Sequence, residues 1–203
     1  MRMHLPDLQR LRTRKELRDH IHSTAVLCLA IFGSTFVACM TPLVGQDIEE
    51  GARVVSDSRD YSIQMQLEGW LEMPSAAEAE TTESPPSLRL AAADGSGWIY
   101  GYRPIGVQPR LDEIVSERRR LMLEAGARDY RERRYFLGDS DQITASLSRY
   151  VAGGEVYLVL TAIRSALAVE LVAATARGGG AERDVIKMLE SVEFDEKPGA
   201  PLP

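Results

Sequence analysis

The segment Val156-Tyr-Leu-Val-Leu-Thr-Ala-Ile163 decides the fold of this chain. Its apolar residues fall at both odd and even positions, so they occupy both faces of a strand. A strand with one face in water would instead alternate apolar and polar residues. The segment therefore predicts a central strand that is covered on both sides by other elements of the fold.

The neighbouring segments predict an antiparallel meander that includes this central strand. Residues 143–147 alternate apolar and polar side chains, and residues 167–174 are mainly apolar. Gly153-Gly154 and Arg164-Ser165 leave only short connections between these segments. Consecutive strands with short connections pair antiparallel, so the three strands are expected to form one sheet.

Further strands and two helices complete the predicted fold. Residues 61–67 alternate apolar and polar side chains, and a tight turn joins predicted strands at 88–92 and 98–103. Apolar residues recur with helical spacing in residues 110–127 and again in residues 181–192. The sequence therefore predicts an α+β fold, in which helices flank one antiparallel β-sheet.

Residues 1–38 have the pattern of an export signal. A basic leader precedes the apolar run 25–32, and small residues follow it. Phe36-Val-Ala-Cys39 is similar to a bacterial lipobox, in which the cysteine is acylated after cleavage. We therefore expect a lipid on Cys39 and an exported, membrane-anchored protein, periplasmic or at the cell surface. An uncleaved signal-anchor helix over residues 25–44 and a soluble secreted form are the alternatives.

The rest of the chain divides into three predicted parts. Residues 39–59 begin with the lipidated cysteine and continue as a flexible tether, because they are polar and show no sustained periodicity. Residues 60–195 contain the periodic segments and form the α+β domain, with an acidic, Pro-rich loop at 74–87. Residues 196–203 are Pro-rich and form a loose tail.

Export would remove most of the residues that support catalysis. The histidines and one cysteine lie in the predicted leader: His4, His20, His22 and Cys28. The exported domain would hold no imidazole and no free thiol, which excludes Ser-His-Asp and Cys-His catalysis and the corresponding zinc or copper sites. The net charge of −6 argues against a nucleic-acid partner. We expect no enzymatic activity, no cofactor and no metal site.

The order of the elements along the domain is also informative. Tyr61-Ser-Ile-Gln-Met-Gln-Leu67 precedes Gly69-Trp70, paired strands are predicted at 142–150 and 155–163, and a helix closes the domain. Together with the mid-chain helix, this layout over residues 60–195 resembles the PsbP-like fold, which bacterial DcrB-like lipoproteins share. The resemblance implies a non-enzymatic accessory or binding protein.

The expected function is that of an exported, membrane-tethered, non-catalytic lipoprotein, which serves as a binding or accessory module of the cell envelope. Its partners would be the membrane, through the N-terminal lipid, and an unidentified envelope protein. Two alternatives stay open at this point. One is an envelope enzyme that uses carboxylates on glycans, and the other is a soluble secreted binding protein.

The predicted partner-binding site lies on the strand after the tight turn. Trp98, Tyr100 and Tyr102 share one face of this strand, and Arg103 follows them. Two helices are few for two sheet faces, so part of one face is expected to stay open. Aromatic rings with polar tips suit a half-wet surface at which a partner docks. The alternative, which the large core area that aromatic rings supply favours, is that the three rings form core beneath a helix.

Arginines concentrate between residues 103 and 134, with the run Arg118-Arg119-Arg120 at their centre. The favoured interpretation is a solvated helix face and an exposed strand, because nearby acids neutralise part of the positive charge. The alternative is a docking patch for an anionic partner.

Two loops contain residues that are typical of ligand sites. Gly138-Asp-Ser-Asp141 has two acids, but the further oxygen ligands of a calcium loop are missing. Gly178-Gly-Gly180 precedes a helix, but Glu182 follows instead of a Lys-Ser/Thr pair. We interpret the first loop as a polar turn and the second as a flexible joint.

Overall fold

The computed structural model describes residues 45–73, 86–103, 110–138, 143–177 and 180–195. The predicted export signal, Cys39, most of the acidic loop and the C-terminal tail lie outside these residues. The acids of the polar turn after Gly138 and two glycines of the 178–180 run also lie outside them.

Within the described residues the chain forms eleven strands and two helices. The helices are α1 (Leu111–Glu124) and α2 (Ala181–Glu190). Neither of them is long and apolar enough to cross a membrane. The strands are β1 (Gln46–Ile48), β2 (Arg53–Val55), β3 (Tyr61–Gln64), β4 (Trp70–Glu72), β5 (Leu88–Ala92), β6 (Gly97–Tyr102), β7 (Arg128–Leu137), β8 (Ile143–Ala152), β9 (Glu155–Arg164), β10 (Leu167–Ala176) and β11 (Glu193–Phe194).

Eight of these strands form one sheet in the order β1-β4-β5-β6-β10-β9-β8-β7, and the other three form a small sheet in the order β11-β3-β2. Every pairing between neighbouring strands is antiparallel. The predicted central strand, Val156–Ile163, is part of β9, which lies in the sheet interior between β10 and β8. The predicted α+β fold, with helices flanking an antiparallel sheet, is confirmed.

One side of the large sheet, which we call the apolar face, carries Val156, Leu158 and Leu160 of β9. These side chains are fully buried, as are Leu171 and Ala173 of the neighbouring β10. Helix α2 and the small sheet cover this face and contribute Tyr61, Ile63, Val185, Met188 and Leu189 to the same core. Burial of this apolar area is the main favourable contribution to folding.

The small sheet meets the apolar face at a glycine of β6. A Cβ atom at Gly101 would lie 2.0 Å from the hydroxyl oxygen of Tyr61 and 2.9 Å from the Cβ of Leu88. The Tyr61 hydroxyl lies 2.9 Å from the Ser87 Oγ and forms a hydrogen bond with it. The absence of a side chain at position 101 therefore lets this buried tyrosine reach a polar partner.

The opposite side of the large sheet, which we call the α1 face, is covered by α1 over β8 and β9. Four apolar side chains of the helix are buried there, in the predicted stripe: Ile114, Val115, Leu121 and Met122. The main contacts of α1, which begins after Arg110, are with β8 and β9 rather than with β5 and β6. Among the described elements, no helix therefore packs closely over β5 and β6 on this face.

The structure differs from the predicted tether at two short segments. Residues 46–48 form β1, which pairs with β4, and residues 53–55 form β2, which pairs with β3. Val54 is 4% exposed and belongs to the apolar core. Strands of three residues are too short to show a periodicity in the sequence, and their pairing partners hold them in place.

Candidate functional site

The three predicted rings of β6 lie on the α1 face, but their exposure differs. Trp98 and Tyr100 are half-buried, whereas Tyr102 is 3% exposed. Tyr102 belongs to the core cluster that includes Met122 of α1. The partly open site therefore consists of Trp98 and Tyr100, while Tyr102 follows the alternative interpretation and forms core.

The two half-buried rings are held in a defined arrangement. The centroids of Trp98 and Tyr100 lie 4.7 Å apart with an interplanar angle of 28°, which is a stacked geometry. Trp98 also meets Tyr157 of β9 edge-on, at 6.3 Å and 67°. Such ring pairs each contribute about 0.5–1.5 kcal/mol beyond the burial of their area. These contacts thus hold the Trp98 and Tyr100 rings in a defined orientation.

Trp98 has small side chains as its neighbours on both adjacent strands. Trp98 lies opposite Ala91 of β5 and Ala174 of β10. Because Tyr157 lies opposite Ala174 on the next strand, the indole reaches across this alanine to the Tyr157 ring. We call Trp98, Tyr100 and Ala91 the aromatic surface.

Polar groups border the aromatic surface. Burial raises the pKa of the Tyr100 hydroxyl, and the positive charge of Arg89 only partly opposes that rise. The hydroxyl therefore keeps its proton at neutral pH and can donate a hydrogen bond. Arg89 lies opposite Tyr100 and donates to the Pro86 carbonyl oxygen at 3.0 Å. On the other side, the Tyr157 hydroxyl donates to Glu155 Oε2 at 2.5 Å.

Arg103 does not belong to this surface. Arg103 directly follows β6, and its position in the alternation places it on the apolar face with Ile99 and Gly101. Its Nη1 donates a hydrogen bond to Asp60 Oδ2 at 2.7 Å. The structure thus brings together two of the four predicted residues, and a role of these residues in partner binding stays a prediction.

The predicted arginine cluster is largely paired with acids. Arg120 contacts Glu117 and Glu124 at 2.6 and 2.7 Å. Arg133 pairs with Glu190, and Arg134 pairs with both Glu132 and Asp112. These contacts fit the favoured interpretation of a locally neutralised surface, and they leave less positive charge for an anionic partner than the alternative requires.

Arg118 is the exception within this cluster, because it is buried. Its side chain is 3% exposed and forms a two-point ion pair with Glu170 of β10, whose side chain is 4% exposed. The Arg118 Nε donates to Glu170 Oε1 at 2.8 Å, and Nη2 donates to the second carboxylate oxygen. The sequence did carry a signal, since position 118 falls four residues after Ile114 in the buried helical stripe.

Around this ion pair the α1 face has a polar layer. Its other members are buried hydroxyl side chains on β8 and β9: Ser146, Ser148 and Thr161. Ser146 Oγ donates to Glu132 Oε1 at 3.3 Å, and burial raises the pKa of the nearby Tyr150. Helix α1 lies over this layer, so a substrate has no access to these groups while the helix is in place.

The described residues include an exposed group of acidic side chains. Across the described ranges, no three His, Cys, Asp or Glu side chains are arranged to hold a metal ion. A shallow depression of about 720 Å³ is lined by Ile48, Gly51 and three acids, Glu49, Glu50 and Glu68. Glu49 and Glu50 are exposed on a turn, in contrast to the enclosed acid pair that glycan hydrolysis requires.

The chain is similar to a solved structure at low sequence identity. No protein-family model matches the chain, and no curated protein matches it. A crystal structure of a protein from Bacteroides thetaiotaomicron is similar at 15% sequence identity and a TM-score of 0.46. The match covers 74% of this chain and 51% of the other, so this chain spans about half the length of the protein it matches.

Proposed function

We propose that this chain is an exported, membrane-tethered, non-catalytic lipoprotein of the PsbP-like kind, which acts as a binding or accessory module of the cell envelope. In this proposal, Cys39 carries the lipid and the aromatic surface contacts an envelope protein. The leader sequence supports the export and the anchor. The stacked, half-exposed pair of Trp98 and Tyr100 is the observation that carries the binding role.

The partial exposure of the two rings favours contact with a partner. Each ring leaves apolar area in water, which is unfavourable unless a partner covers it. Tryptophan and tyrosine supply much of the binding free energy at protein interfaces, because a large rigid ring loses little conformational entropy on contact. The polar tips of Tyr100 and Arg89 at the border can direct hydrogen bonds to the same partner.

The non-catalytic part of the proposal has separate support. The histidines and Cys28 lie in the predicted leader, so the exported domain would lack the usual general bases and nucleophiles. The hydroxyl and carboxylate groups that do gather, under α1, are closed to substrate.

Capture of the partner from native membranes tests the aromatic surface. Cells would express the full chain with and without Trp98→Ala, and captured proteins would be identified after cross-linking. We expect capture to fall about 30-fold, which corresponds to the loss of one central interface residue. Because Trp98 is only half-buried, the loss in free energy of unfolding should stay below the roughly 3–5 kcal/mol that truncation of a fully buried aromatic side chain costs.

Two matched variants control this experiment. Trp98→Phe keeps an aromatic ring and should retain most of the capture. Leu123→Ala removes an exposed apolar side chain elsewhere, on α1, and should leave capture unchanged. Equal capture by Trp98→Ala and the wild type would rule out the aromatic surface as the docking site.

The lipid anchor is tested by replacing the acylated residue. Cys39→Ser should abolish labelling by a fatty-acid probe, move the protein from the membrane to the soluble fraction, and change its processed size. Unchanged labelling, fractionation and size would contradict the lipoprotein proposal and leave the aromatic surface to be judged by the capture experiment alone.

A further inference from the structure

The two edges of the large sheet differ in length and in exposure. The edge strand β1 has three residues, whereas the other edge strand, β7, has ten. Among the described strands β7 pairs only with β8. Its outer edge therefore presents unpaired backbone groups, which can pair with another strand. Phe136 of β7 is 58% exposed, a high value for a large apolar side chain.

We infer that β7 pairs with β7 of a second copy of this chain, and that the two sheets join edge to edge into one continuous sheet. This goes beyond the proposed partner contact, because it uses a different strand and a different kind of partner. A two-fold axis perpendicular to the sheet makes the two β7 strands antiparallel and places both α1 faces on the same side. Residues that lie opposite one another must then belong to the same face.

This symmetry leaves few possible registers, because the axis must pass through a residue that meets its own copy. If that residue were Glu132, two carboxylates would face each other and Arg131 would face Arg133 of the other copy. If it were Arg134, Glu132 would face the apolar ring of Phe136. Like charges directly opposite destabilise a strand pair, and a carboxylate gains nothing from a ring at its side.

The register through Arg133 is complementary. It places Glu132 opposite Arg134, Arg131 opposite Tyr135, and Tyr130 opposite Phe136, and the symmetry repeats each of these contacts. The pairs are an ion pair, a cation over an aromatic ring and two aromatic rings, all of which stabilise neighbouring strands. The exposed Phe136 thereby gains a partner.

The one like-charge contact of this register is already moderated within each copy. Arg133 forms an ion pair with Glu190 of α2, and its guanidinium lies 4.8 Å from the centroid of the Tyr135 ring. Arg134 likewise contacts Glu132 within the copy. In the proposed pairing, Glu132 and Arg134 of one copy would lie next to Arg134 and Glu132 of the other, so that the four charges alternate in sign. A bulge between Arg128 and Arg131, with Asp129 at φ 53°, interrupts the pairing with β8 at the end of this register.

Disulfide cross-linking in native membranes tests the register directly. In the full chain, Arg133→Cys would meet its own copy at the axis, within the Cα separation of about 4.4–6.8 Å that a disulfide needs. We expect a covalent dimer on a non-reducing gel. Arg131→Cys and Arg128→Cys are matched controls on the same strand, and residue 131 would lie about 13 Å along the strand from its copy. The unsubstituted chain, which keeps Cys28 and Cys39, gives the background.

A charge exchange provides a second measurement. In the Arg133→Cys background, Glu132→Arg places an arginine opposite Arg134 at two symmetric positions and should lower the cross-linked fraction about tenfold. Adding Arg134→Glu restores opposite charges and should restore the cross-link. Three results would overturn the inference: no cross-link above background at 133, a stronger one at 131 or 128, or a cross-link from 133 to a different protein.

Discussion

The apolar face of the large sheet packs under α2 and the small sheet, whereas the α1 face packs under one helix and contains a polar layer. On the apolar face, β9 and β10 contribute Leu158, Leu160 and Leu171. On the α1 face, the same two strands contribute Thr161 and Glu170. The apolar face is stabilised by area removed from water, and the α1 face depends more on one specific pairing.

The apolar face and the α1 face position the elements that pack on them in different ways. Apolar contact is non-directional, so the elements on the apolar face can adjust to one another as long as area stays buried. A two-point arginine–carboxylate pair has a defined geometry, so Arg118 and Glu170 set the position of α1 on the sheet. Because α1 is held over β8 and β9, the rings of Trp98 and Tyr100 remain at its side.

The largest expected effect comes from breaking this ion pair on one side. Arg118→Ala removes the guanidinium and leaves the buried Glu170 carboxylate without that partner. The free energy of unfolding should fall by about 3–5 kcal/mol, as for other buried pairs that lose one member. Urea unfolding of the purified full chain would measure it. A loss below about 1 kcal/mol would mean that the carboxylate is solvated in the folded state.

A double variant separates the charge from the packing. Arg118→Met combined with Glu170→Leu replaces both charged groups by apolar side chains of similar length. Since replacing a buried ion pair in this way is often neutral or stabilising, we expect the double variant to recover most of the stability that Arg118→Ala loses. Recovery would show that the loss in Arg118→Ala comes from leaving one buried charge unpaired, and that apolar packing can replace the ion pair under α1.

An intermediate effect is expected on the apolar face. Leu158→Ala and Leu160→Ala each leave a cavity among fully buried side chains, and each should cost about 2–5 kcal/mol. Val55→Ala, at a side chain that is 43% exposed, should change stability by less than about 0.5 kcal/mol. Thermal and urea unfolding would measure all three, and a cost below about 1 kcal/mol at both leucines would contradict a central role for β9.

The sequence was most informative where one physical signal dominated. The run from Val156 to Ile163 predicted a strand buried on both faces, because such a strand cannot place apolar residues on both sides in water. The apolar stripe with helical spacing predicted α1 equally well. These signals are local, so they do not require knowledge of the partners. They account for most of the sheet and both helices.

The remaining features depend on distant partners. The sequence predicts a tether where β1 and β2 lie, because three residues show no period, and pairing with β4 and β3 orders these strands. The sequence pattern predicts a solvated position for Arg118, since its acid partner lies 52 residues away. Within the predicted site, the burial of Tyr102 depends on where α1 crosses the sheet, and a strand's own pattern does not contain that information.

The smallest expected effect concerns an exposed ion pair, the surface counterpart of Arg118 and Glu170. Arg53 of β2 and Glu193 of β11 meet across β3, with Nη2 and Oε1 2.6 Å apart. The hydrogen bond from Arg53 lowers the pKa of Glu193 below its usual value. A carboxyl whose pKa is lower in the folded state stabilises the fold above its unfolded pKa, and that contribution is lost as the pH falls through the folded pKa.

Glu193→Gln should therefore reduce the free energy of unfolding by about 0.2–1 kcal/mol at neutral pH, because both side chains are about half exposed. Below the lowered pKa of Glu193 the wild type is protonated at this position, so the two proteins should become nearly equal in stability. Urea unfolding of both proteins at neutral and acidic pH would measure the difference. If the difference in free energy of unfolding stays constant with pH, the charge of Glu193 contributes nothing. If it exceeds about 3 kcal/mol, the exposed pair contributes as much as a buried ion pair does.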